Sequence, residues 1–363
     1  MSGKSLVGAP YPVTVKRTEQ LRNDRPSGAK ITLGDVAIAA GVSPAAASLA
    51  LRGRRGVSDQ TRERVIEVAS SLGYRRRSAA ERSETLRIGV LVRAKGARSA
   101  DLDAFYGPVL AGINAEASLA GIDLRLDTLL VDDDFDPLEV PRSVQSADID
   151  GLLVLGARLT ARSADQIAPN PVVLVDGYSD PPRTFSSVIA DNVAGACAAT
   201  QHLIDLGHQH IALAGSTPTA FPSIQNRRLG YRQTVAAAGL PAYMVDGPHD
   251  QPHMIAAQVA LELERNPDIS AIFAVNDDVA IAIIGAMGSE IPSRLSLVGF
   301  DDIAAARVIH PRLDTVAVDK QALGRFALTL AAHRIRHPDD PPVTATLPAS
   351  LVVRDSSAIP PTL

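Results

Sequence analysis

Thr32-Leu33-Gly34-Asp35-Val36-Ala37-Ile38-Ala39-Ala40-Gly41-Val42-Ser43-Pro44-Ala45-Ala46-Ala47-Ser48-Leu49-Ala50-Leu51 decides how the start of this chain folds. Leu33, Val36, Ala37 and Ala40 recur at helical spacing and share one face. Gly41 stands where a turn needs a left-handed backbone, which glycine adopts without steric cost. Ser43 can cap a second helix, and Pro44 follows at its first position, where no amide hydrogen is missed. Ala47, Ala50 and Leu51 then face back onto the first helix. Ala37 and Ala47 are small where the two helices must cross closely. The spacing predicts a helix-turn-helix, a unit that sets its second helix into the major groove of DNA.

The next residues extend the unit. Ser58 can cap a third helix carrying Val65, Val68, Ala69 and Leu72, closed by Gly73. The succession Asp35-Val36-Ala37, Ala40-Gly41-Val42-Ser43, Val57-Ser58, Thr61-Arg62-Glu63-Arg64-Val65 and Leu72-Gly73-Tyr74 resembles the headpiece of the LacI/GalR family of bacterial repressors. The candidate DNA contacts are Thr32, Ser43, Pro44, Ala45, Ala46, Ser48 and Leu49, with Arg52, Arg54, Arg55 and Arg75 for the backbone. The second helix is poor in donors, so base readout should lean on apolar contact with thymine methyls, with Ser48 as a phosphate anchor. Relatives in that family often wedge a leucine into the minor groove from the linker. Counted from Tyr74, that position is Ser83. Leu86 is the nearest apolar substitute, so little central kinking of the DNA is expected.

Charge is distributed unevenly. The whole chain has a formal net charge of −4. Residues 1–87 carry a net +8 and the remainder a net −12. A basic head on an acidic body fits a nucleic-acid-binding module attached to a soluble core. Nothing in the sequence is apolar for long enough to span a membrane, and no leader pattern opens it. The single Cys197 excludes an internal disulfide and fits a reducing, cytoplasmic setting. Its Ala-rich helical surroundings suggest a structural thiol.

Residues 1–30 lack periodicity and are expected to form a disordered extension. Residues 31–74 form the headpiece and 75–86 a linker. From Arg87 onward, apolar strands alternate with helices, which implies buried parallel sheets. Strands are expected at Arg87–Val92, Leu124–Leu130, Gly151–Leu155, Val172–Asp176, Ile211–Ala214, Ala271–Val275 and Leu295–Phe300. The intervening helices are Phe105–Leu119, Asn192–Leu206, Arg227–Ala238, Ile255–Leu263 and Asp278–Met287. This layout resembles the periplasmic-binding-protein-like core of the same family, through Phe105-Tyr106, Pro171–Asp176, His202–His208, Arg227–Tyr231, Val275–Asp278, Val298–Asp302 and Leu351–Ser356. The resemblance implies two doubly wound parallel-sheet subdomains, one of 87–190 with 319–340 and one of 191–317 with 341–358.

In open parallel sheets, ligands bind beyond the carboxyl ends of the strands. The loops after Val92, Leu155, Asp176, Ala214, Val275 and Phe300 should therefore line a cleft. Arg227 offers a planar donor fork, Asn276 both donates and accepts, and Asp301 accepts from hydroxyls. Phe105 or Tyr106 can lie against a ring or sugar face. The resemblance assigns effector contact most firmly to Arg227, Asn276 and Asp301, the first and last expected to face each other across the cleft. Asp277 is expected as a helix cap, Asp302 as a solvated turn residue, and Asn192 as a cap or hinge residue.

No catalytic, metal or cofactor motif emerges. Asp132-Asp133-Asp134 and Asp136 lack the glycine a calcium loop needs, with Pro137 in its place. His208-Gln209-His210 has no third ligand at metal spacing and is expected at the surface. The sequence thus points to a repressor that binds an approximately palindromic double-stranded operator as a homodimer and responds to a sugar, sugar derivative or nucleobase-like metabolite. The competing reading is a small-molecule binding protein or sugar-processing enzyme whose headpiece no longer reads DNA.

Overall fold

The computed structural model describes residues 32–51, 56–72, 74, 85–95, 104–141, 144, 149–167, 170–181 and 185–361. The expected extension at 1–30 and Ser83 lie outside these residues. The chain opens with α1 (Leu33–Ala40), α2 (Pro44–Leu51) and α3 (Asp59–Leu72). Thr32 and Asp35 form a reciprocal capping box at the start of α1. Gly41 closes α1 with φ 65°, and α2 then departs at 101° to it. Ser43 Oγ accepts the Ala46 amide at 3.1 Å, and Ser58 Oγ accepts that of Thr61 at 3.2 Å. Val36, Ala37, Ala40, Ala47, Ala50, Val65, Val68, Ala69 and Leu72 are the shared core.

Two larger sheets follow. The first lobe contains β1 (Arg87–Lys95), α4 (Tyr106–Ala120), β2 (Asp123–Val131), β3 (Gly151–Leu155), β4 (Arg158–Thr160), α5 (Ala161–Ile167), β5 (Val172–Val175), β6 (Tyr178–Asp180) and β7 (Ser186–Ala190). The second contains α6 (Asn192–Asp205), β8 (Ile211–Ser216), α7 (Pro222–Ala237), β9 (Tyr243–Asp246), α8 (Pro252–Arg265), β10 (Ala271–Ala274), α9 (Asp277–Met287), β11 (Ser296–Asp301) and β12 (Asp314–Val318). The chain ends with α10 (Lys320–Arg336), β13 (Thr344–Leu347) and β14 (Ala349–Val352).

The sheet orders are β13-β7-β5-β3-β1-β2 and β14-β12-β11-β10-β8-β9. All these pairings are parallel except β12 with β14. Strands β3, β5, β8, β10 and β11 are buried along their whole length, because helices cover both faces. In each sheet the order reverses beside the first strand, between β1 and β3 and between β8 and β10. An open sheet places its binding crevice outside the carboxyl ends of the strands at such a switch.

The chain crosses between lobes at Asp191, Asp319 and Pro348. The two aspartates are equivalent devices. Asp191 Oδ1 accepts the Ala194 amide at 2.9 Å and caps α6, while Asp319 Oδ1 accepts the Ala322 amide at 2.8 Å and caps α10. Helix α10 returns to the first lobe and packs on α4 and beneath β3, β5 and β7. The expectation that 341–358 belongs wholly with the second lobe needs correction. The chain leaving α10 meets the open edge of β7 first and adds β13 there, with Leu347 O accepting the Asp191 amide at 2.8 Å. Only after Pro348 does β14 join the second sheet. The hydrophobic pattern missed β4, β6, β7, β9 and β12, which are short and not continuously apolar in sequence.

Candidate functional site

Arg227 is the hub of the cleft. It lies on α7 and is 4% exposed. Its Nε donates to Asn192 Oδ1 at 2.9 Å and one terminal nitrogen to the Val275 carbonyl at 2.7 Å. The other terminal nitrogen reaches Asp301 Oδ1 at 2.8 Å. Its guanidinium carbon sits 3.7 Å from the centre of the Phe300 ring. The expectation that Arg227 and Asp301 oppose each other across the cleft is therefore corrected. Both belong to the second lobe, and α7 carries Arg227 directly over the end of β11.

Asp301 and Asp302 depart from the extended backbone of β11, with φ of 106° and 48°. Left-handed conformations in non-glycine residues cost on the order of 1–3 kcal/mol and persist only where surrounding contacts enforce them. Lys320, the first residue of α10, supplies those contacts: its ammonium binds the carbonyl of Asp301 and, at 3.2 Å, that of Asp302. Burial pushes Lys320 down and Asp301 up from their ordinary pKa values, while Arg227 opposes the shift at Asp301.

Three expectations change here. Asn276, not Asp277, caps α9, accepting the Val279 amide at 2.9 Å. Asp277 is buried behind it, accepting from Thr315 Oγ1 at 2.6 Å and the Ile303 amide at 2.8 Å, and burial raises its pKa to about 8. Asp302 is not solvated but 8% exposed, bound by Arg307 at 2.7 Å and by Arg354. Burial alone would raise its pKa, yet the two guanidiniums hold it below the usual range. His208 is also buried, its ring nitrogens against Ser270 at 2.8 Å and Ser296 at 2.9 Å, because the C-terminal segment at Ala358 packs over it. Cys197 is half-buried beside the Gly230 carbonyl.

The first lobe contributes Phe105 and Tyr106, whose rings meet edge to face at 5.1 Å. Tyr106 Oη donates to Asp176 Oδ2 at 3.0 Å, and burial raises the Asp176 pKa to about 6 against the lowering pull of Arg227 and Arg93. Arg93 continues β1 at the switch point and donates to the Gly156 carbonyl at 3.2 Å. Gly156 has φ 72°, and a Cβ there would lie 2.3 Å from Tyr106 Oη and 2.9 Å from Arg93 Cδ, so only glycine permits both side chains. Rings from both lobes close around Arg93: Tyr106 at 5.5 Å, Phe135 at 5.0 Å and Phe221, from the second lobe, at 5.1 Å. Phe135 and Phe221 meet at 4.8 Å, and Lys95 pairs with Asp250 of the second lobe at 3.3 Å. Asn192 was expected as a cap or hinge residue, but Asp191 caps α6 and Asn192 accepts from Arg227. Arg93, Asp176, Phe135, Tyr178, Ser216 and Phe221 were not singled out individually in the sequence. The only signal available was the position of Arg93, Asp176 and Ser216 at or beside strand ends.

Among the DNA-contact candidates, Thr32 uses its hydroxyl in the capping box and Ser43 caps α2. Pro44 is exposed, and Ala45, Ala46 and Leu49 are half-buried. Ser48 is 7% exposed, which corrects its expected role as an outward phosphate anchor. Helix α2 has only eight residues and packs on α1, α3 and, in the first lobe, α5, so the successive positions Ala47 and Ser48 are both buried. Arg52, Arg54, Arg55 and Arg75 lie outside the described residues. Leu86 packs against the core and its carbonyl accepts the Asp123 amide at 2.8 Å, so it is anchored to the first sheet.

Residues 32–77 match the bacterial regulatory proteins of the lacI family, and residues 200–357 match a periplasmic binding protein-like domain. The chain is 31% identical over 348 residues to the HTH-type transcriptional regulator GalS of Salmonella typhimurium, covering 90% of this chain and 97% of that protein. The chain belongs to the LacI family. Another relative of the regulator is the ribose operon repressor of Haemophilus influenzae, 29% identical over 341 residues, with 90% of this chain and 98% of that protein covered. A solved transcriptional regulator CelR–cellobiose complex superimposes on the regulator with a TM-score of 0.64 and 25% identity, covering 90% of this chain and all of that one. The LacI-family regulator is thus a DNA-binding transcriptional regulator built from a helix-turn-helix headpiece and an α/β core with two parallel sheets.

Among the described residues no group of three or more histidine, cysteine or acidic side chains is arranged to hold a metal. No single described helix is long and apolar enough to cross a membrane.

Proposed function

We propose that this regulator is a cytoplasmic, ligand-responsive repressor that binds a two-fold operator as a homodimer and changes its DNA affinity when a small polar metabolite fills the interlobe cleft. The observation that carries this reading is the connection from Asp301 through Lys320 to the crossing at Asp319. A ligand that alters the Arg227–Asp301 contact acts on the same few residues that join the lobes. Such a ligand shifts the equilibrium only by its differential affinity for the two arrangements.

Relatives support a sugar or sugar derivative as effector: one is a ribose operon repressor and another was solved with cellobiose. Leu126 and Leu130 are 56% and 43% exposed on β2, the outer edge of the first sheet, which supports coverage of that edge by a second copy. The carboxylates favour binding over hydrolysis. Asp301 is held by Arg227, Asp277 by Thr315 and Ile303, and Asp176 by Tyr106, so each already serves a contact within the protein.

The test is a gel-shift with DNA from upstream of the gene and its neighbours, followed by addition of candidate metabolites. Retarded inverted-repeat DNA, with mobility altered by one metabolite, is the expected result. Absence of any sequence preference over random DNA overturns the reading.

A further inference from the structure

Among the described residues, the cations Arg93, Lys95, Arg227 and Lys320 and the carboxylates Asp176, Asp250 and Asp301 come together around the cleft. Lys95 is taken by Asp250 at 3.3 Å and Arg227 by Asp301 at 2.8 Å. Lys320 is satisfied by main-chain carbonyls, and Asp176 accepts from Tyr106 rather than from a cation. Arg93 remains. Among the described residues it has no carboxylate within ion-pair distance, and its single hydrogen bond is to the Gly156 carbonyl at 3.2 Å. A guanidinium has five N–H donors in a rigid fork, so most of this one is unused.

The location is specific. Arg93 follows Val92 and Gly156 follows Leu155 at the point where β1 and β3 diverge. The rings of Tyr106, Phe135 and Phe221 enclose the guanidinium and keep water from solvating it fully. Asp176 acts on it electrostatically, but among the described residues no carboxylate closes an ion pair with it. A partly buried cation that the protein does not neutralise is costly unless a ligand supplies the charge.

Two neutral polar groups are unmatched in the same cleft. Tyr178 Oη and Ser216 Oγ are buried with no hydrogen-bond partner. Asn192 and Asn226 flank the Tyr178 hydroxyl, but neither closes a bond of normal geometry. Ser216 ends β8, the strand at the switch point of the second lobe, so the unmatched groups come from both walls.

We propose that Arg93 anchors a carboxylate on the effector, so that the cleft takes a small polyhydroxylated monoanion, a sugar acid, in preference to the neutral sugar. The inference rests on the reading of the cleft as the effector site. The carboxylate occupies two parallel N–H donors of Arg93. Tyr178 and Ser216 meet ligand hydroxyls, and the Phe135 and Phe221 rings cover its apolar faces. One unpaired guanidinium matches one carboxylate better than a dianionic phosphate, which needs more donors than the site presents.

The experiment is calorimetric titration of the full chain with gluconate, glucuronate, galacturonate, glucose, galactose and glucose 6-phosphate. At least one of the three acids binds, about ten-fold or more tighter than the neutral sugar matched to it, the discrimination expected of a charge-assisted bond. Arg93→Gln removes that preference, and Arg93→Lys keeps the preference with weaker binding. Circular dichroism confirms that both variants are folded, and a wild-type preference for an acid over its neutral sugar decides the matter independently of either. The proposal is overturned if none of the six binds, if a neutral sugar or the phosphate binds as well or better, or if Arg93→Gln leaves the ratio unchanged. A protein that binds the acid but keeps hold of its DNA retains this site and loses the regulatory reading. One that releases DNA for a neutral sugar alone does the opposite.

Discussion

Arg227 reaches Asp301 at 2.8 Å inside a single lobe, with the guanidinium stacked 3.7 Å above the Phe300 ring. The pair is part of the frame of the second lobe as well as part of the candidate site. Removing one partner of such a buried pair typically costs about 3–5 kcal/mol, because the other charge is left uncompensated. Asp301→Ala should therefore lower the stability of the chain as well as effector affinity. The double variant Arg227→Met with Asp301→Leu should recover much of the stability and none of the effector binding. Chemical denaturation alongside calorimetry separates the two. Recovery of both would place the effector elsewhere.

Asp277 makes a pH prediction with a definite sign. Its folded-state pKa, about 8, lies above its ordinary value of 3.8. The native state thus holds a proton that the unfolded chain has released, and stability from this group declines as pH rises from about 4 to about 8. Asn can replace it by accepting from the Ile303 amide and donating to Thr315 Oγ1. The stability of Asp277→Asn relative to the unchanged chain should therefore increase across that interval. A difference that stays flat with pH would mean that Asp277 is ionised throughout.

In the headpiece, Gly41→Ala forces a methyl-bearing residue to φ 65°. The cost is about 1–2 kcal/mol. Thr32→Ala removes the capping box for about 1 kcal/mol. Both should accelerate amide hydrogen exchange in α1 and α2 and weaken operator binding, while calorimetric effector affinity stays unchanged. Altered effector affinity would show that headpiece and cleft are coupled through these residues.

Arg54 and Arg55 are expected to contact phosphates. Replacing both by Ala should weaken binding to all DNA sequences similarly and reduce the slope of log affinity against log salt by about 2. An unchanged slope removes them from the interface.

Local chemistry was legible where neighbours in sequence are neighbours in space. The caps Ser43 and Ser58, the turn at Gly41, the inward faces of α1 and α3 and the buried strands all follow from spacing. The errors arise where distant segments decide. Asn276 and Asp277 are adjacent and both suit a cap, and only the Thr315 hydroxyl and Ile303 amide, delivered by β12 and the turn after β11, draw Asp277 inward. Ser48 is hidden by the packing of its short helix on several others, and His208 by the returning C-terminal segment.

The sequence by itself determined the helix-turn-helix, the basic head and the alternation that builds two parallel sheets, because capping, periodicity and charge act over a few residues. Tertiary structure alone decided which side of the cleft each polar group occupies, that β13 joins the first sheet while β14 joins the second, and that among the described residues no carboxylate closes an ion pair with Arg93. Those outcomes depend on which strand ends meet, a relation between residues as far apart as Arg93 and Phe221 that no local pattern encodes.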